Sequence, residues 1–162
     1  MPIDSKLTWM NHTGFVVSDM ERALQFYRDL LGFTEDRNLV VEGEFISKLV
    51  GYPETKLHVV YLGLGDMRHA LELLYYLSPV GGPAAPIERN NVGAAHLGII
   101  VEDLESMYSE LSAKGVRFVS PPAVRLDAEY PWARKACYLQ DPDGNWLEFV
   151  ERAPAPPGSI VV

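Results

Sequence analysis

Apolar and polar positions along this chain run twice through the same order. Phe15, Val16 and Val17 form a β-branched and aromatic run that ends at Ser18-Asp19. Ala23, Phe26, Tyr27, Leu30 and Leu31 then recur at the 3.6 spacing of one helix face and stop at Gly32. A side-chain oxygen at Ser18 or Asp19 can cap the free N–H groups of that helix, and Glu21 can complete a capping box. Further on, Glu102-Asp103 opens a second helix with Leu104, Met107 and Leu111 on one face and Gly115 after it. Strand-like runs follow each helix: 57–62 and 70–77 in the first half, and 116–119, 136–139 and 146–150 in the second. Turn residues separate them, Gly63 to Asp66 in one half and Asp141-Pro142-Asp143-Gly144 in the other.

The two halves also match residue by residue. His12-Thr13-Gly14-Phe15-Val16-Val17-Ser18-Asp19-Met20-Glu21 aligns with His96-Leu97-Gly98-Ile99-Ile100-Val101-Glu102-Asp103-Leu104-Glu105, an offset of 96 − 12 = 84. Leu71-Glu72-Leu73 aligns with Leu147-Glu148-Phe149 at an offset of 148 − 72 = 76. The pattern predicts a first module over residues 10–80, a Gly/Pro-rich linker over 81–90, a second module over 91–152 and a loose tail over 153–162.

Composition narrows the class. The 162 residues are 48% hydrophobic and 22% charged, which suits one ordinary globular core or two small half-domains and argues against disorder. Fourteen Lys and Arg against 22 Asp and Glu give a net charge of −8, a field that repels nucleic acid and anionic lipid. The single cysteine, Cys137, makes no internal disulfide, and nothing calls for an oxidising compartment. No apolar run approaches the roughly 20 residues needed to cross a bilayer, and Met1 to Met10 lacks a basic region followed by an apolar one. The expectation is a cytoplasmic protein with no nucleic-acid or membrane partner.

The chemistry comes from what the repeat places on strands. A carboxylate is a poor strand former and costly to bury unpaired. Alternation puts Glu72 on a face with Leu74 and Tyr76, and Glu148 with Trp146 and Val150. Two glutamates and two histidines at equivalent places suggest four side chains sharing one charge-compensating partner. Two imidazoles and two carboxylates suit a divalent metal such as Zn, Ni, Co, Mn or Fe, with positions left open for water or substrate. Gly14 and Gly98 would leave space beside the ion, or serve close strand packing.

With His12 and His96 opening their modules, Leu-Glu-Leu at Glu72 and Asp-Pro-Asp-Gly-Asn-Trp-Leu-Glu ending at Glu148, the chain resembles the vicinal oxygen chelate superfamily over roughly residues 10–152. That group includes glyoxalase I, methylmalonyl-CoA epimerase, extradiol dioxygenases and the bleomycin and fosfomycin resistance proteins. The resemblance implies an α+β fold of two tandem βαβββ modules, forming a curled mixed sheet around a metal-containing cavity. It implies His12, Glu72, His96 and Glu148 as the ligands of one divalent ion, within one chain or across the two-fold interface of a homodimer. A His, Glu, His, Glu set is closer to the glyoxalase I and epimerase branch than to the dioxygenases, which use two His and one Glu.

The implied function is a metal-dependent enzyme that binds a small molecule with adjacent oxygens and shifts a proton α to a carbonyl, as an epimerase, isomerase or glyoxalase-type lyase. In that chemistry Glu148 is the candidate base and Glu72 the group that returns the proton. The alternatives are an Fe(II) or Mn(II) extradiol-type dioxygenase and a non-enzymatic drug-binding resistance protein. The substrate stays open, because this scaffold hosts many reactions.

Other residues carry weaker signals. His58 opens a strand where some epimerases hold a second base, whereas His69 adjoins a turn and is expected exposed. Tyr75, Tyr76, Tyr130, Trp132 and Trp146 are candidates to line a pocket, or core aromatics. Cys137 has no evident cationic partner and is expected to be a buried, inert thiol. The long segment 38–53, with Glu42, Glu44, Phe45 and Lys48, is expected to wall or cover the site. The stretch 123–134 differs from the short glycine-rich one usual in glyoxalase I, which argues against glutathione specificity. Arg125 and Arg134 are the basic residues weighed for a phosphate or carboxylate.

Overall fold

A computed structural model describes residues 7–65, 68–83, 87–125 and 134–153. Tyr130, Trp132 and the tail beyond residue 153 lie outside the described residues. The chain divides into two compact units, Met1–Ala84 and Ala85–Val162.

The first unit runs β1 (His12–Val16), α1 (Met20–Leu24) continuing into a π-helical stretch (Gln25–Leu30), β2 (Thr34–Glu42), α2 (Glu44–Val50), β3 (Lys56–Gly63) and β4 (Ala70–Ser78). Asp19 caps α1 by accepting the Arg22 N–H at 3.0 Å. The wider turn, with the Leu31 N–H on the Phe26 carbonyl at 3.0 Å, keeps both Phe26 and Tyr27 buried before Gly32 stops the helix at a φ of 80°. The strands form one open mixed sheet in the order β1-β4-β3-β2, with β1 parallel to β4 and the other pairs antiparallel.

Strand alternation gives this sheet two working faces. Phe15, Val60, Leu62, Leu71 and Leu73 share one face through their registers and are buried, and α1 packs on β4. Each such side chain stabilises the unit by roughly 2 kcal/mol on leaving water. On the other face Leu57 and Val59 are buried with Ile46 of α2, and Val41, Val50, Tyr61, Leu74 and Tyr76 pack around them.

The second unit repeats the plan with β5 (His96–Val101), α3 (Leu104–Ala113), β6 (Ala123–Val124), β7 (Lys135–Gln140) and β8 (Trp146–Glu151), in the sheet order β5-β8-β7-β6. Asp103 caps α3 through the Ser106 N–H and hydroxyl at 3.0 and 2.8 Å. Glu151 accepts the Leu104 N–H at 3.0 Å, so the last strand holds the start of the helix. Leu104 and Leu111 are buried, as are Ile99, Cys137, Leu139, Leu147 and Phe149, and α3 packs on β8. Asp141 is buried and accepts the backbone N–H groups of Asp143 and Asn145 and the Asn145 amide at 2.8–2.9 Å, which fixes the turn into β8.

This is the α+β architecture of two tandem modules, with differences in detail. Residues 38–42 are not connection but the end of β2, and 44–50 are a helix. β2 went unread because eight of its nine residues are exposed, so no apolar alternation marks it; backbone pairing to β3 and its charged residues suit a sheet edge. Residues 116–119 form no strand, only the bridge Phe118 to Leu139. Pro121 and Pro122 follow after Ser120 and cannot donate to a ladder. No helix among the described residues is long and apolar enough to cross a membrane.

Candidate functional site

The parallel pair β1/β4 sets Gly14 opposite Glu72, and β5/β8 sets Gly98 opposite Glu148. Each histidine lies two residues before its glycine, so it shares the glutamate's face one step along the strand. His12 Nε2 stands 3.2 Å from Glu72 Oε2, and His96 Nε2 stands 3.2 Å from Glu148 Oε2. The four ligand candidates therefore come as two like pairs, one per unit. Glu72 is the more buried carboxylate, its side chain 12% exposed against 27% for Glu148.

The glycines next to these pairs are not equivalent. A Cβ on Gly14 would meet Leu74 Cδ1 at 3.2 Å and Glu72 Oε2 at 3.4 Å, whereas one on Gly98 would meet nothing within 4 Å. Gly14 thus makes room chiefly for Leu74, with the carboxylate oxygen that faces His12 at ordinary contact distance. Asn11 Nδ2 lies 3.0 Å from His12 Nδ1.

A third residue type, unread in the sequence, completes both pairs. Tyr61 is the cross-strand partner of Glu72 and Tyr138 that of Glu148. Burial, followed by its hydrogen bond to Glu72, pushes the Tyr61 phenol up to about 12. The Tyr138 hydroxyl lies 3.4 Å from His96 Nε2, and its phenol is also raised, first by burial and then by Glu148. Both rings meet their histidine edge to face, with centroids 6.0 and 5.2 Å apart. The repeat held the signal: each tyrosine occupies the strand preceding its glutamate in the same register. Tyr61 also packs beside the α2 cluster, which brings the segment expected as a wall to the face that carries Glu72.

The other expectations sort by face. His58 pairs with Tyr75, three positions from the Tyr61–Glu72 pair, and so lies on the opposite face from Glu72. There its Nε2 is 2.7 Å from Asn38 Oδ1, in an open cavity of about 500 Å³ that Arg28, Glu35 and Tyr75 also line. A second base at the Glu72 face is not available from His58. His69, expected exposed, is half-buried, with Nε2 2.8 Å from Thr13 Oγ1. Tyr76 and Trp146 lie on the faces of their glutamates. Cys137 is 3% exposed, its neighbours in the strand order facing away, and burial pushes its thiol up to about 11.

The donor set fits a divalent first-row ion, since each pair presents an imidazole nitrogen and a carboxylate oxygen already in contact. Among the described residues, however, no three His, Cys, Asp or Glu side chains gather into a ligand group. Each unit offers two donors, fewer than the three or four protein ligands typical of a catalytic metal.

A profile of the glyoxalase/bleomycin resistance protein/dioxygenase superfamily matches residues 9–149. The chain belongs to that superfamily. Among its relatives is an Arabidopsis thaliana protein named "Probable lactoylglutathione lyase, chloroplastic", 28% identical over 94% of this chain and 40% of that protein. A second is the mitochondrial methylmalonyl-CoA epimerase of Mus musculus, 30% identical over 73% of this chain and 60% of the relative. The chain thus spans between two-fifths and three-fifths of the length of these curated relatives. Of the solved structures, a glyoxalase family protein from Bacillus cereus superposes with a TM-score of 0.82 at 22% identity, over 95% of this chain and all of that one. The trypanothione-dependent glyoxalase I of Leishmania major gives 0.60 at 23%, over 90% of this chain and 87% of that one. At these identities the two structures share the fold.

Proposed function

We propose that this protein is a divalent-metal-dependent enzyme that takes a small molecule with adjacent oxygens and moves a proton on the carbon α to a carbonyl, as an epimerase, isomerase or glyoxalase-type lyase. The observation that carries this is the pair of 3.2 Å histidine–glutamate contacts in the same register of two repeated sheets. His12, Glu72, His96 and Glu148 are the proposed ligands, a first-module pair completed by a second-module pair from the same chain or from a second copy. Zn, Ni, Co, Mn or Fe fits the donors, and the ion when bound supplies a Lewis acid that polarises the substrate carbonyl.

The remaining work falls to the chain's own groups. Glu148, the more exposed carboxylate, is the base that accepts the α-proton, and Glu72 is the group that returns it. Tyr61 donates to Glu72 and fixes that carboxylate, while the Tyr138 ring packs edge to face against the His96 ring. Relatives named as a lyase and as epimerases support proton transfer over oxygen chemistry.

The test combines metal analysis with isotope exchange. Protein loaded with Ni, Co, Zn, Mn or Fe is expected to exchange the α-proton of a 2-hydroxy ketone, acyl thioester or hemithioacetal for solvent deuterium without using oxygen. Glu148→Gln is expected to lose exchange by about 100-fold or more while still taking up metal. Refusal of all five metals would favour a binding protein, and oxygen uptake with catechols would favour the dioxygenase.

A further inference from the structure

The segment that leads into β5 is fastened across the second sheet. Trp146 Nε1–H donates to the Ile87 carbonyl at 2.8 Å, and two residues on Arg89 lays its guanidinium over the Trp146 ring, 4.6 Å from the centroid, and 5.9 Å from that of Tyr138. Trp146 is the register partner of His96, and Tyr138 that of Glu148. Arg89 therefore sits on the sheet face of the His96–Glu148 pair, one aromatic ring away.

Arg89 is exposed and makes no ion pair among the described residues, so its charge is not already spent on a carboxylate as those of Arg28, Arg37 and Lys135 are. Held over an aromatic ring and paired with no carboxylate, the guanidinium keeps N–H donors for a further partner. A fork of donors in a fixed plane matches two oxygens of a carboxylate or phosphate.

We infer that Arg89 is a specificity-determining residue that binds an oxyanion, carboxylate or phosphate, carried by the substrate beyond its chelating oxygens. This rests on the metal-enzyme function proposed above and names its substrate class: an anionic 2-oxygenated acid or ester rather than a neutral ketone. Trp146 and its bond to Ile87 hold the guanidinium at that place.

Lactate, malate and 3-phosphoglycerate share one 2-hydroxy-carboxylate unit and differ in carrying no further anion, a carboxylate or a phosphate. Their binding to the Ni(II)-loaded protein is measured by calorimetry and by the fluorescence of Trp146, with Trp146→Phe as the control for that signal. Malate or 3-phosphoglycerate is expected to bind at least about tenfold more tightly than lactate, and the better of the two identifies the anion. Arg89→Gln is expected to bring all three to the affinity of lactate, and Arg89→Lys to restore part of the difference, charge without the fork. Equal affinities in the wild type, or preference surviving in Arg89→Gln, would overturn the inference. Uptake of Ni(II) alone is measured on the same samples. Failure there counts against the metal-enzyme function, and the series is then run without metal, where a malate or phosphoglycerate preference abolished by Arg89→Gln still supports the oxyanion seat.

Discussion

At the scale of single residues, the two histidine–glutamate pairs, one in each unit, have the same tyrosine neighbour but set it differently. Tyr61 donates to a nearly buried Glu72, whereas Tyr138 reaches the histidine of the more open pair. Tyr61→Phe removes that donor and keeps the ring, so metal affinity is expected to fall about 10- to 100-fold with the far-ultraviolet spectrum unchanged. The phenol itself offers a second check. Its value is raised to about 12 in the folded protein, so the stability it contributes is complete below the ordinary value near 10 and is lost as pH climbs through 12. Absorbance at alkaline pH in wild type and Tyr61→Phe should differ by one phenol that ionises about two units late. Cys137, buried and raised to about 11, should resist thiol reagents at neutral pH until the protein is unfolded.

Secondary-structure elements show where local chemistry positions the site. β8 carries Glu148 in its middle and is held at both ends, by Asp141 before it and by Glu151 on the start of α3. Asp141→Ala leaves two backbone N–H groups and an amide without their acceptor and is expected to cost about 3 kcal/mol, read as a lowered midpoint in urea. The Asp103 carboxyl is held below the usual range by the Ser106 N–H and hydroxyl. That contribution is present above the ordinary value near 3.9 and is lost as pH falls below it, so Asp103→Ala should lower the melting temperature by a few degrees at pH 7 and by little at pH 2. Both caps were legible because a cap is a local matter of one oxygen and the next three N–H groups. β2 was not, because an exposed edge strand owes its order to the backbone of β3 rather than to its own pattern.

The whole molecule is a repeat in which each unit holds one histidine–glutamate pair, two donors where catalytic metals typically have three or four protein ligands. On the proposed function, His12→Ala and His96→Ala should each abolish tight metal binding, although the residues belong to different units. Thermal stabilisation by added metal, about 4 kcal/mol at a thousandfold excess over the dissociation constant, should vanish in both. Stabilisation surviving in one variant would place the ion in a single unit.

The sequence by itself determined the caps of α1 and α3 and the turn before β8, because each depends on residue type and short spacing, and it showed the repeat that sets two histidines and two glutamates at equivalent places. Tertiary structure alone decided the rest. Register across strands set His12 against Glu72 and His96 against Glu148, turned His58 to the opposite face, and brought Tyr61, Tyr138 and Arg89 to theirs. A side chain's face follows from its pairing partner, and that partner lies dozens of residues away, where no local pattern reaches.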